Sequence, residues 1–147
     1  MLSTQGGSVM HGMNLYNVLR ALPVELITHN VGNVDSIGNA IFLAGIKRYA
    51  CPHSTFMFHG VGCQTQPNQV LEAKFLRERL DSITADQKRI GSVIVERTNI
   101  GEQDVANLFL EAQTKDAGFA LASGIIDEIR EVNIPSGNPV VSLVFQR

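Results

Sequence analysis

Three short stretches of this sequence carry residue types that could together perform acyl transfer. Ser36 stands in Gly32-Asn-Val-Asp-Ser36-Ile-Gly38, flanked by glycine and set between a strand-like and a helix-like segment. A serine at a helix start has unpaired backbone N–H groups beside its hydroxyl, and these favour developing negative charge. Such a setting suits both an alkoxide and an oxyanion. The spacing G-x-x-x-S-x-G differs from the G-x-S-x-G of a nucleophile elbow. His59 ends the apolar run Thr55-Phe-Met-Phe58 and precedes Gly60, so its ring can reach a neighbouring site from a strand end. Gly6-Gly7-Ser8-Val9 leads into a helical stretch, where a glycine pair permits close backbone approach with a free N–H aimed at a ligand. Taken singly, each has a plainer structural reading: an N-cap serine, a satisfied structural histidine, a glycine turn. The remaining histidines, His11, His29 and His53, are scattered and have no ligand set beside them. No metal site and no cofactor is expected.

The elements that must hold these residues alternate between helix-like and strand-like, which points to an α/β layer architecture. A first helix is expected over about Ser8 to Ala21, with Ser8 as cap, Val9, Met13 and Tyr16 at helical spacing, and Pro23 as stop. Val24 to Thr28 reads as a short strand. A second helix is expected from Ser36, with Ile37, Ala40, Ile41 and Ala44 on one face. Arg48 to Cys51 and Thr55 to His59 read as strands around the turn Pro52-His53-Ser54, and Gly60 to Asn68 reads as a loop. Val70 to Arg97 is the longest periodic segment, with Leu76, Leu80, Ile83, Ile90 and Ile94 in one stripe. At about 28 residues it would be about 42 Å long, more than a domain of this size can cover. Part of it should project, and its apolar stripe needs a partner, most economically another copy of the chain. Shorter helices are expected over Glu102 to Glu111 and Asp116 to Ser123, the latter ended by Gly124. Strands are expected over Ile125 to Ile129 and, after the loop Pro135 to Pro139, over Val140 to Phe145.

The composition bounds the function. The chain has 147 residues, 44% hydrophobic and 18% charged, which suits one domain spanning residues 1–147 with a true core. A net charge of −2 argues against a nucleic-acid or membrane-surface binder. No stretch approaches the roughly 20 apolar residues that cross a bilayer. The start MLSTQGGSV lacks the basic and apolar regions of a signal peptide. Cys51 and Cys63 form no disulfide framework. A cytoplasmic chain with reduced thiols is expected.

The order of the motifs is more specific than any one of them. Gly6-Gly-Ser-Val-Met-His-Gly-Met-Asn-Leu-Tyr16 resembles the G-G-S-V-x-x-G-x-x-I-Y run of the ClpP family of serine peptidases. Gly32 to Gly38 resembles that family's G-x-A-A-S-x-G nucleophile segment. Ala44-Gly-Ile-Lys-Arg-Tyr-Ala-Cys-Pro52-His-Ser54 is similar to its A-G-x-x-x-x-R-x-x-x-P-N-S run, and Phe56-Met-Phe-His59 to its V-M-I-H. Ala120-Leu-Ala-Ser-Gly124-Ile-Ile-Asp127-Glu-Ile129 resembles its A-x-x-x-G-L-V-D-x-I, and the Val70 to Arg97 helix stands where the family has its handle helix.

The resemblance implies a ClpP/crotonase-like fold of stacked β-β-α units with a projecting handle helix. It implies a serine endopeptidase with Ser36 as nucleophile, His59 as base, and the N–H groups of Gly7 and Ile37 as oxyanion hole. The implied partners are peptide or unfolded-protein substrate, further copies in stacked rings joined through the handle helix, and an AAA+ unfoldase. Two departures stand out. The family's third triad residue is an aspartate twelve positions before the glycine matching Gly124, and here that position is Ala112. Glu111 or Asp116 could substitute if the backbone shifts; otherwise a weak Ser-His dyad or a non-catalytic structural or regulatory subunit remains. The sequence also opens near the glycine pair, which implies an N-terminally shortened relative or translation beginning upstream. An acyl-CoA enzyme of the crotonase type is a further alternative, although no glutamate pair stands near Ile37 or His59.

Overall fold

The computed structural model describes residues 1–142. Its element order is β1 (Leu2–Thr4), α1 (Val9–Ala21), β2 (Ile27–Asp35), α2 (Gly38–Phe42), β3 (Lys47–Ala50) and β4 (Thr55–Met57), followed by α3 (Ala73–Arg97), α4 (Glu102–Glu111), β5 (Thr114–Asp116), α5 (Ala117–Ala122) and β6 (Glu128–Ile129). The six strands form one mixed sheet built around β2. β2 pairs in parallel with β1, with β3 along Ile27 to Asn30, and with β4 along Asn33 to Asp35. β6 extends the sheet beside β3, and β5 closes the other edge antiparallel to β4.

The helices lie where periodicity and caps put them. Ser8 accepts a hydrogen bond from the His11 N–H at 3.4 Å and starts α1, and Asp116 accepts from Phe119 N–H at 2.8 Å and starts α5. Gly124, at φ +69, turns the chain after α5 in a conformation glycine adopts without a Cβ penalty. α3 begins at Ala73, three residues later than the stripe suggests. Asn68 adopts φ +61 and Glu72 is extended, so Val70 and Leu71 belong to the approach and not to the helix. Only the second half of α3 is covered: Ile90 and Ile94 are 5% and 0% exposed, whereas Leu76 and Leu80 are 50% and 63% exposed. The first half therefore projects with apolar side chains in solvent.

The sheet departs most from sequence expectation. The central strand runs over Ile27–Asp35, not Val24 to Thr28. Its polar residues hide the strand pattern because their side chains are satisfied inside the sheet. Asn30 donates to Thr55 O at 2.8 Å and accepts from Gly32 N–H at 3.0 Å; Thr28 donates to Phe42 O at 2.8 Å. β1 and β5 have three residues each, too short to show a period of two. Ser36 lies outside α2, whose N-cap is Ile37. β4 stops at Met57, so His59 follows the strand by two residues. β6 covers only the end of the Ile125 to Ile129 segment. The strand expected over Val140 to Phe145 is irregular as far as Ser142, and its remainder lies outside the described residues.

The core lies between the sheet and the helices. Phe42 of α2, Phe56 of β4, Phe58, Ile94 of α3 and Ile125 are almost completely buried. Phe42 and Phe56 meet edge-on at 5.2 Å, a contact worth about 0.5–1.5 kcal/mol beyond the area it buries. Arg97, at the end of α3, donates to Leu43 O and Gly45 O at 3.1 and 3.0 Å. A cation at a helix C-terminus satisfies orphan carbonyls there, and this one ties α3 to the end of α2.

Candidate active site

The sheet brings Gly6-Gly7, Ser36-Ile37 and the end of β4 to one corner. Ser36 adopts φ +57, a left-handed conformation that a non-glycine residue holds only when its surroundings impose it. The surroundings do so at three points. Ser36 N–H donates to Met57 O at 2.9 Å, continuing the β2–β4 pairing one residue beyond the strand. Asn39 donates through one Nδ2 to both Ser36 O at 3.0 Å and Met57 O at 2.8 Å, locking the turn to β4. The Gly6 backbone presses on the turn from the other side: a Cβ at Gly6 would stand 2.7 Å from Ser36 Cβ and 3.4 Å from Ser36 Oγ. Only glycine fits there, which gives the glycine pair a physical reason. Ser36 itself is half-buried.

Gly7 adopts φ +149, and the space a Cβ would occupy is open. Its N–H and that of Ile37 find no acceptor among the described residues, whereas the Gly6 N–H is taken by Thr4 Oγ1 at 3.1 Å. Two free donors thus flank the Ser36 turn. Ile37 is buried, and Gly12 of α1 packs so closely on its side chain that a Cβ there would collide with Ile37 Cγ1. Packing against α1 therefore fixes the residue that carries one of the donors.

His59 is half-buried, and its Nδ1 bonds the carbonyl oxygen of Gly60 at 2.7 Å. A carbonyl can only accept, so Nδ1 carries the proton and, in the neutral ring, Nε2 keeps a lone pair. That is the tautomer a general base needs. Ser36 Oγ and His59 make no direct hydrogen bond. The chain beyond β4 is anchored by Phe58 N–H to Gln113 O at 2.9 Å and Gly60 N–H to Phe109 O at 3.0 Å.

The β4–β5 register pairs Thr55 with Asp116, Phe56 with Lys115 and Met57 with Thr114. The pairing runs one residue further, with Phe58 N–H donating to Gln113 O, and leaves Ala112 next along the chain at the α4–β5 junction. Ala112 ends α4 at φ +50. Neither of the two carboxylates that could have replaced an acid there bonds to His59. Asp116 caps α5, and Glu111 lines a surface cleft with Asp104, Asn107 and Lys115. Among the described residues no carboxylate oxygen lies within 4.0 Å of a His59 nitrogen. Likewise, no group of three or more His, Cys, Asp or Glu gathers there in a way that could hold a metal. Sequence reasoning missed Asn39, whose amide joins the two halves of the corner; an amide inside the apolar run Ile37 to Ala44 was the available signal.

Comparison with known proteins gives a consistent result. A family model described as Clp protease matches residues 1–133. The proteolytic subunit 1 of the ATP-dependent Clp protease of Corynebacterium jeikeium is 27% identical over 124 residues, covering 80% of this chain and 65% of that protein. Proteolytic subunit 2 of Corynebacterium efficiens is 26% identical over 124 residues, covering 80% of this chain and 61% of its own length. The chain thus spans just under two thirds of the length of these curated relatives.

Proposed function

The chain belongs to the Clp protease family, and from that premise we propose that it is a serine endopeptidase subunit with Ser36 as nucleophile and His59 as base. His59 Nε2 takes the Ser36 hydroxyl proton as Oγ attacks the scissile carbonyl carbon. The N–H groups of Gly7 and Ile37 hold the resulting oxyanion. The imidazolium then returns its proton to the leaving amine, and water hydrolyses the acyl-enzyme by the reverse sequence. The observation that carries this reading is the Ser36 turn: a serine at φ +57, pinned to Met57 O and pressed by Gly6, with unsatisfied N–H groups on both sides. Donors aimed in advance at a developing charge are usually the largest single contribution to such catalysis.

The substrate in this reading is an extended peptide from an unfolded chain, lying beside Gly7 to Val9 and the exposed loop after His59 and adding as a strand. Further copies assemble in rings through α3, and an AAA+ unfoldase supplies substrate. A fluorogenic peptide is expected to be cleaved by the assembled protein, and Ser36→Ala to remove at least a hundredfold of that rate. Cleavage unchanged by Ser36→Ala would overturn the assignment.

Ala112 favours a second reading, a subunit that retains the fold and assembles with an active relative. Without an acid across from it, the His59 imidazolium lacks the stabilisation worth about 10⁴ in kcat in a well-studied triad. An absence of cleavage by the homomeric protein, with cleavage appearing when an intact relative is added, would support this reading over the first.

A further inference from the structure

The Gly60–Val61 peptide joins His59 to helix α3. Its carbonyl accepts from His59 Nδ1 at 2.7 Å, and its N–H donates to Gln87 Oε1 at 3.1 Å. Gln87 lies in the second half of α3, on the wall of a groove formed with Val105, Ala106 and Phe109 of α4. The amide oxygen therefore fixes the plane of a peptide whose other end holds the imidazole. A peptide group whose N–H is engaged has a more strongly accepting carbonyl, because hydrogen bonds in a chain polarise one another. Among the described residues Nδ1 has no hydrogen-bond partner besides Gly60 O, and Ala112, at the position where the family resemblance implies an aspartate, carries no side-chain acceptor.

We propose that Gln87 is a positioning residue for His59, acting through the Gly60–Val61 peptide to hold the Nδ1–H tautomer in place of the missing aspartate. This rests on the reading of His59 as base. It makes the state of the catalytic imidazole depend on α3, the same helix whose first half projects. An amide differs from a carboxylate in one respect that matters. It selects the tautomer but adds no negative charge beside the imidazolium, so it supports a slower enzyme.

Two substitutions break the relay without touching His59. Gln87→Ala removes the acceptor from a half-buried helix position where alanine is a good helix former. Gly60→Ala leaves Gln87 in the chain but brings a Cβ to 2.8 Å from its Oε1, displacing the amide. The experiment is nitrogen-15 NMR of the ring nitrogens at a pH where His59 is neutral, with the signal assigned by its loss in His59→Gln. The native protein is expected to show His59 as the Nδ1–H form, and both variants to shift it toward Nε2–H. Peptide cleavage is expected to fall about tenfold or more in each. Adding Gln87→Ala to Ala112→Asp should cost little cleavage relative to Ala112→Asp alone, since a carboxylate then orients the ring directly; a merely structural Gln87 would cost the same factor in both backgrounds. An unchanged tautomer in Gln87→Ala, or a Gln87→Ala loss just as large in the Ala112→Asp background, would overturn the proposal. The tautomer is read whether or not the protein cleaves peptides, so this failure is distinct from a failure of Ser36 to act as nucleophile.

Discussion

Ala112 carries two costs at once. It holds φ +50, where an alanine side chain crowds the following carbonyl at about 1–2 kcal/mol and where aspartate or asparagine is better tolerated. It also leaves a methyl group where the family resemblance implies the orienting aspartate. Ala112→Asp addresses both. Peptide cleavage is expected to rise at least tenfold, toward the roughly 10⁴-fold that an orienting aspartate supplies elsewhere, with no loss of thermal stability. Unchanged kcat would contradict the placing of Ala112 against the imidazole. His29 makes a different prediction. Burial holds its pKa below the ordinary value, with the hydrogen bond from Nε2 to Arg130 O at 3.0 Å acting in the opposite sense. The unfolded chain, with an ordinary pKa of about 6.5, then binds more protons than the folded one just below that pH. This contribution to stability is complete above about pH 6.5 and is lost as pH falls through the lowered folded value. Denaturant midpoints between pH 7.5 and 5.5 should fall less steeply in His29→Asn than in the native chain; parallel slopes would show that His29 is not the group responsible.

Helices were legible from the sequence and strands much less so, for a reason visible in particular residues. α1 and α5 carry caps and α4 apolar spacing that act within a few positions, so Ser8 marks the start of α1 and Asp116 and Gly124 bracket α5 directly. β2 is identified by its neighbours instead. His29, Asn30 and Asn33 look like loop residues until Thr55, Arg130 and Thr4 supply partners about 25 to 101 positions away. The same holds for the site: Ser36, His59 and the glycine pair stand out by type and order, Asn39 shows only as an amide in an apolar run, and Gln87 reaches Val61 N–H through a contact that no local pattern announces. α3 is half legible. Its stripe is correct, but which half is covered depends on where α2 and α4 end. With Leu76 and Leu80 exposed on the projecting half, replacing both with aspartate should leave helix content unchanged and break the rings proposed above into smaller species. Circular dichroism and sedimentation velocity test this together, and an unaltered sedimentation coefficient would exclude α3 as the assembly contact.

Across the whole molecule, the corner that matters is built from the two ends of the described sheet region: β1 and the glycine pair from the start, β4 from the middle, and the α4–β5 junction from beyond the long helix. Contacts so far apart in sequence explain why the chain holds Ser36 in a strained turn while His59 stays unengaged with it. Each is fixed by a different neighbour, Ser36 by Gly6 and Met57, His59 by Gly60. What unites them is the proposal that Ser36 is a nucleophile, and that can be measured without a peptide substrate. A fluorophosphonate probe applied to the native protein should form one covalent adduct per chain, mapped by peptide mass spectrometry to Ser36 and absent in Ser36→Ala. No adduct on the native protein, or an adduct that persists in Ser36→Ala, would contradict the account.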